Sequence, residues 1–238
     1  TASWKFDPSW TYDLPLELEQ SRTAIWNQAK KDFPQIYDGK LLCLTRYDCE
    51  ANELRLEVGT IHFSQMMAHV RTDVPIQDGF GSLGVQVAIF TQDRTQDRRF
   101  LLVGERSHNS DYRPGWLAIP GGIFEVADVN GSIGEAINRE MREEVALKLR
   151  PNFVLRALLK MQPHTSTALL VEAHLAESET INVSKPVMGN EEWEGQVLQW
   201  LPCPELPHLN RERIFDGLDF IVADWLAFQQ KESSVFFG

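Results

Sequence analysis

"GWLAIPGGIFEVADVNGSIGEAINREMREEVAL", Gly115 to Leu147, runs from an apolar strand-like segment through Gly121-Gly122 and a polar loop. It ends in a helical stretch closing on Arg139-Glu140-Met141-Arg142-Glu143-Glu144. Side chains three and four apart share a helix face, so Glu140, Glu143 and Glu144 project together. Ile137, Met141 and Val145 form a neighbouring i, i+4, i+8 stripe suited to packing on a sheet. Like charges at i, i+4 destabilise a helix slightly, and Arg139 and Arg142 offset part of that. Taken alone, "REEVALK" reads as a solvated acidic face with i, i+4 salt bridges. Directly behind a Gly-rich corner, the three carboxylates instead suit a hard divalent cation. Magnesium takes oxygen ligands in octahedral geometry, commonly one or two carboxylates completed by water and phosphate oxygens.

Outward from this stretch, the pattern changes at "DGFGSLG", residues 78–84. Before it, "PLELEQSRTAIWNQAKKDF" has helical periodicity, with Leu18, Arg22, Ile25, Trp26 and Ala29 near one face and Pro34 ending it. Two strand-like runs follow, "KLLCLTRYD" and "ELRLEVGTIHF", and then a short helix, "SQMMAHVRT". These make a small N-terminal α/β subdomain over residues 1–78. Beyond Gly79, "GVQVAIFT" and "RRFLLVGERS" read as a hairpin, and "WLAIPGG" as a strand ending at a glycine corner. Gly131 or Ser132 starts the glutamate helix, which runs to about Leu147. "VLRALLKMQ", "TALLVEAHL" and "GQVLQWLP" are further strands. "ERIFDGLDFIVADWLAFQQ" is a last helix, striped by Ile214, Leu218, Ile221, Val222 and Trp225. The expected fold is α/β, a mixed sheet with helices on its faces, with the second domain covering residues 79–238.

The chain has 238 residues, enough to bury a real core, with 43% hydrophobic and 24% charged residues. Twenty-three basic against thirty-four acidic residues give a formal net charge of −11. That balance speaks against nucleic acid or an anionic membrane as partner, both of which need clustered Lys and Arg. A small phosphorylated ligand held through a metal remains open. No apolar run approaches bilayer length and no signal peptide is present. A cytoplasmic setting is expected on the default of reduced cytosolic thiols. Cys43, Cys49 and Cys203 are odd in number and lack CxxC spacing, which points to reduced thiols rather than a disulfide framework or zinc site.

The box "GG" plus "REMREEVAL" resembles the Nudix family signature, Gly-x5-Glu-x7-Arg-Glu-U-x-Glu-Glu-x-Gly-U with U aliphatic. Arg139, Glu140, Met141, Glu143, Glu144 and Leu147 fall on matching positions. Gly122 lies seventeen residues before Arg139, where the pattern has fourteen. Gly131 stands where the loop glutamate would fall, and Ala146 replaces the late glycine. The resemblance implies a Nudix α/β/α sandwich and hydrolysis of a nucleoside diphosphate linked to another moiety. It also implies Mg2+ or Mn2+ held by Glu140 and Glu144, with Glu143 third, and Arg139 tying the loop to the helix and orienting the glutamates. Proton abstraction would fall to a box glutamate or to a later loop, where Glu192 of "GNEEWEGQVLQW" is the candidate and an exposed acidic loop is the ordinary alternative.

"AIWNQ", "YDGKLLCLTRYD", "RLEVGTIHFSQMMAH", "GFGSLGVQVAIFT" and "LLVGERS" resemble the branch with an N-terminal extension that includes the mammalian UDP-glucose pyrophosphatase. That branch implies a small-molecule nucleotide substrate, best matched by a UDP-sugar cleaved to UMP and sugar 1-phosphate. Thr60, His62 and Phe63 would line the base or sugar site, although such residues are more often packing. Gly121 and Gly122 would lie against the substrate, and Arg106 could clamp a phosphate or equally pair with a surface acid. His164 is a loop histidine of the kind that is usually idle. ADP-ribose or NADH are the competing substrates. A non-catalytic nucleotide-sugar-binding module is the competing class, disfavoured because all three box glutamates are present. RNA decapping is opposed by the acidic chain. A homodimer is among the assemblies left open.

Overall fold

The structure, a computed structural model of the chain, describes residues 1–51, 53–72, 74, 76, 81–93, 98–106, 113–145, 147–150, 152–161, 166–176, 183, 185, 187–188 and 197–235. In chain order these form β1 (Ala2–Thr11), α1 (Leu16–Asp32), β2 (Lys40–Glu50), β3 (Glu53–His62), α2 (Phe63–Thr72), β4 (Ser82–Asp93) and β5 (Arg98–Glu105). Then come β6 (Leu117–Ala118), β7 (Gly121–Ile123), a 3-10 segment at Val126–Asn130, α3 (Ile133–Glu144), β8 (Val154–Met161) and β9 (Ser166–His174). The chain closes with β10 (Val187–Met188), β11 (Val197–Pro202), short 3-10 turns and α4 (Asp216–Val235). The class is α/β. Two compact units make up the chain.

The first unit comprises Thr1–Val85, Gly122–Glu140 and Ala157–Leu169. Its sheet is mixed: β1 runs parallel to β3, while β2 runs antiparallel to β3 and meets β4 at Cys43↔Ser82. Along β3, Leu54, Leu56 and Val58 are buried while Arg55 and Glu57 face out, the period of two that a half-buried strand needs. The sequence pattern did not announce β1. It carries Pro8, and its pairing with β3 shifts register between Phe6 and Thr11, around that proline. Proline lacks a ladder donor and is tolerated at an edge or bulge, which is where it sits. Tyr12, Leu41, Cys43, Ile61, Met66 and Ile76 form one buried cluster of this unit. Beside it, Tyr12 Oη lies 2.9 Å from His69 Nε2, and His69 Nδ1 lies 2.7 Å from the Val74 carbonyl. Burial lowers the His69 pKa and pushes the Tyr12 hydroxyl up to about 12, so the neutral imidazole donates from Nδ1 and accepts from the tyrosine.

The second unit comprises Gln86–Gly121, Met141–Arg156 and Leu170–Gly238. Here β4 and β5 form the expected antiparallel hairpin, Phe90↔Leu101 to Asp93↔Arg98. β11 pairs antiparallel with β5, β10 with β11, and the short β6 with the end of β5. α4 begins at Asp216, so Ile214 of the expected helical stripe lies before the helix and bridges Leu117 instead. Leu218, Ile221 and Val222 keep the stripe and are buried. The three cysteines are free, and burial pushes the thiols of Cys43 to about 12 and Cys203 to about 11. Among the described residues no helix is long and apolar enough to cross a membrane.

Candidate functional site

Gly122 is fastened from both sides. Its neighbour Phe124 accepts from Leu42 N at 2.8 Å and donates to Leu83 O at 3.0 Å, which sews the segment between β2 and β4. Trp4 packs edge-on against Phe124 and donates to the Gly131 carbonyl at 3.2 Å. The chain then enters α3 through a capping box. Ser132 Oγ accepts from Glu135 N at 3.2 Å, and the Glu135 carboxylate accepts from Ser132 N at 2.7 Å. These contacts fix where the helix starts and therefore which of its residues face inward.

Ile133, Ala136, Ile137 and Met141 are buried at i, i+3, i+4 and i+8. Glu140 takes the i+7 place in that apolar stripe and is only 6% exposed. A buried carboxylate is costly unless paired. Arg139 meets the requirement: its Nη2 lies 2.5 Å from Glu140 Oε1, while Nε and Nη2 grip Asp128 at 2.9 and 2.7 Å. One guanidinium thus joins the 3-10 loop segment to the helix. α3 ends at Glu144, earlier than the expected Leu147, so Glu143 and Glu144 occupy its last two positions. The negative end of a helix dipole disfavours carboxylates by about 0.3–1 kcal/mol each. Glu143 is exposed and Glu144 half-buried.

Asp128 is the loop acid that Arg139 holds. The signature places its loop acid six residues after the glycine, and Asp128 stands six after Gly122. Against the spacing of the signature, the longer stretch falls between Asp128 and Arg139, with Gly131 inside it. Counting forward from the glycine finds the acid, because β7 and its flanking bonds hold that side of the loop in register.

Gly122 itself admits no side chain. A Cβ there would lie 1.9 Å from Glu140 Oε2 and 2.6 Å from its Cδ. At Gly84 a Cβ would meet the Gly122 carbonyl oxygen at 2.4 Å. The two differ in what must yield: a side-chain end at Gly122, backbone at Gly84. Gly122→Ala is expected to cost about 1–3 kcal/mol by driving the Glu140 carboxylate off Arg139, and Gly84→Ala more than that. Denaturant unfolding of the two variants checks the order, and an unperturbed Gly122→Ala would mean the carboxylate is free to move.

The other expected residues are placed as follows. Arg106 follows β5; its N–H donates to Trp116 O at 2.9 Å and its guanidinium lies 5.1 Å from the Phe215 ring centre. Arg113 stacks on Trp116 at 4.3 Å and pairs with Asp216 at 3.4 Å, with φ at 49°, left-handed for a non-glycine residue. Thr60 is buried within the β1–β3–β2 ladder opposite Leu42 and Thr11. His62 begins the turn into α2, its N–H bonded to Gln65 Oε1 at 2.8 Å and its Nδ1 3.9 Å from Asp38 Oδ2. The structure brings together Arg139, Glu140 and Gly122, with Asp128 added. Thr60 and His62 make no side-chain hydrogen bond or ion pair with them among the described residues. Glu192 and His164 lie outside the described residues. Among those described, no group of three or more His, Cys, Asp or Glu side chains gathers tightly enough to hold a metal.

No protein-family model matches the sequence, and no curated protein matches it. Among solved structures the chain is similar to a MutT/nudix family protein from Enterococcus faecalis, with 15% identity and a TM-score of 0.44, and it spans 60% of that protein's length as well as 60% of its own. It is similar to one from Listeria innocua, with 17% identity over 65% of this chain and 97% of that one, TM-score 0.45. It is also similar to the NUDIX domain of Shewanella oneidensis NrtR, solved with ADP ribose, with 17% identity over 63% and 88% of the two chains and a TM-score of 0.43. Likenesses at this level leave the function to be read from the side chains.

Proposed function

We propose that the chain is a metal-dependent pyrophosphatase of the Nudix type, with its site on α3 and the Gly121-Gly122 corner. The observation that carries this reading is Glu140, a carboxylate set into the apolar stripe of its helix, packed on the Gly122 backbone and clamped by an arginine that also holds the loop. The donor set fits magnesium. Glu140 and Glu144 are hard oxygen ligands one turn apart, and carboxylates at the negative end of a helix gain most from a cation. Since no three side-chain donors converge among the described residues, one or two carboxylates would bind and substrate phosphates and water would complete the shell. Bound there, Mg2+ or Mn2+ would polarise a phosphoryl oxygen, neutralise developing charge and activate water.

Each residue then has a task. Glu140 and Glu144 hold the cation and Glu143 stands by as third. Arg139 orients Glu140, while Glu143 or Glu192 takes the proton from water. The backbone of Gly121 and Gly122 approaches the phosphates closely because no side chain intervenes, and Arg106 offers a guanidinium to a phosphate. Residues 79–238 supply this chemistry, and residues 1–78, through Thr60 and His62, shape the nucleotide pocket. The proposed setting is cytoplasmic, with a small nucleotide rather than nucleic acid or membrane as partner.

The proposed substrate is a UDP-sugar, on the resemblance of "AIWNQ", "GTIHF" and "GVQVAIF". A pocket that pairs one base edge rejects another because its polar groups are left unsatisfied. UDP-glucose is therefore expected to exceed ADP-glucose in kcat/KM by about tenfold or more. Screening UDP-, ADP-, GDP- and CDP-linked compounds with magnesium decides it, and a preference for ADP-ribose would replace the substrate while keeping the chemistry. The second reading, a nucleotide-binding module without turnover, draws on the lack of a three-donor cluster among the described residues. Tight binding without hydrolysis of any compound in the screen would select it.

A further inference from the structure

Away from α3, two arginines and a histidine converge on one carboxylate within the second unit. Glu172 on β9 is 6% exposed. Its Oε1 accepts from Arg99 Nη2 at 2.7 Å, and its Oε2 accepts from Arg156 Nε at 2.9 Å and from Arg156 Nη2. His174 Nε2 lies 3.3 Å from Oε1. Burial alone would raise the Glu172 pKa, but the Arg156 bond and charge, with Arg99 and His174, hold it below the usual carboxylate range.

One forked arginine is enough to compensate a buried carboxylate. Here there are two, plus an imidazole, on a chain whose formal net charge is −11. The excess is local and its cost is mutual repulsion of the cations. The arginines are also ready for a ligand. Arg99 Cζ lies over the Phe90 ring, 3.8 Å from its centre, which removes side-chain freedom before anything binds. The side chains of Arg99, Arg156 and His174 are 39%, 40% and 46% exposed. Among the described residues, Nε and Nη1 of Arg99 and Nη1 of Arg156 donate to no protein acceptor.

We propose that Arg99, Arg156 and His174, arrayed on the buried carboxylate of Glu172, form an anion site that binds a tetrahedral phosphate. Guanidinium forks match phosphate oxygens bidentately. Two guanidinium charges against one carboxylate leave a net positive site, and the His174 imidazole adds a further polar contact, so an anion with several oxygens can engage all three side chains. The phosphate could be free orthophosphate or the phosphomonoester end of a small metabolite.

Calorimetric titration of the full chain in EDTA, at ionic strength fixed with chloride, separates the sources: orthophosphate in one arm, glucose 1-phosphate in the other. Saturable binding of orthophosphate with no gain for the ester assigns the site to the free ion; tighter binding of the ester assigns it to an organic phosphate. In either case Arg99→Gln and Arg156→Gln are expected to weaken binding about tenfold or more, the loss of a charge-assisted hydrogen bond. Glu172→Gln should bind phosphate more tightly than wild type, since it frees donors from their internal acceptor. A merely structural ion pair would instead show loss of stability with no gain in affinity. Arg156→Lys keeps the charge and serves if Arg156→Gln does not fold; it should bind several-fold more weakly than wild type. Equal affinity in wild type and the Arg99 and Arg156 variants overturns the proposal. So does loss of binding in Arg106→Gln alone, or heat that chloride reproduces.

Discussion

Glu144→Gln is expected to lower kcat/KM on the preferred nucleotide by on the order of a hundredfold or more, and excess EDTA to abolish turnover in the unmodified protein. A catalytic metal supplies several kcal/mol of transition-state stabilisation, and each 1.4 kcal/mol is a factor of about ten. Glu144 is half-buried and ends α3, where the helix dipole does not favour a carboxylate. Neutralising it relieves repulsion from Glu140 one turn earlier and from the helix dipole, each effect below about 1 kcal/mol. The variant should therefore lose Mg2+ affinity and activity together while its near-UV circular dichroism stays that of the folded protein. That split separates a ligand from a structural residue. Hydrolysis that continues in excess EDTA would remove the metal, and a fully active Glu144→Gln would remove this residue from its shell.

How much of this was visible in the sequence differs from residue to residue. Glu140, Glu143 and Glu144 are legible because they lie within one helix, where spacing alone decides which side chains are neighbours. The strands of the β4–β5 hairpin and of β2 and β3 are legible for the same reason, since alternation is a local signal. Asp128 is not, because it stands 11 positions before Arg139 in a separate 3-10 segment, and only the folded chain brings the two together. β1 is hidden by Pro8 and by a parallel pairing with residues some fifty positions later, which no short window sees. The Glu172 cluster is assembled from Arg99, Arg156 and Glu172 on three strands, separated by 73 and 16 positions from the carboxylate they share. Periodicity reports which face a residue occupies; it does not report which distant residues share that face.

Arg139 carries the second large effect, and here stability and activity should fall together. Its guanidinium is shared by two carboxylates, Asp128 and Glu140, each with a side chain only 7% exposed. Removing one partner of a buried ion pair leaves the other charge without compensation and typically costs 3–5 kcal/mol. Arg139→Ala is expected to lose about that much in metal-free denaturant unfolding, and activity with it, because Glu140 is no longer aimed. Arg139→Lys keeps a charge but loses the fork, since an ammonium cannot reproduce the two parallel bonds to Asp128 while also reaching Glu140. It should fall between wild type and alanine in stability and lose roughly 10–100-fold in kcat/KM, the usual cost of disturbing the partner of a metal ligand. The combined change Arg139→Met, Asp128→Asn, Glu140→Gln removes all three charges at once. Replacing charged partners of a buried group together costs less than removing one and leaving its partners uncompensated. This triple variant should thus recover much of the stability lost in Arg139→Ala and none of the activity. If it stays as unstable as Arg139→Ala, packing of the guanidinium rather than its charge holds the loop to α3. If it regains activity, Glu140 does not serve the chemistry at all.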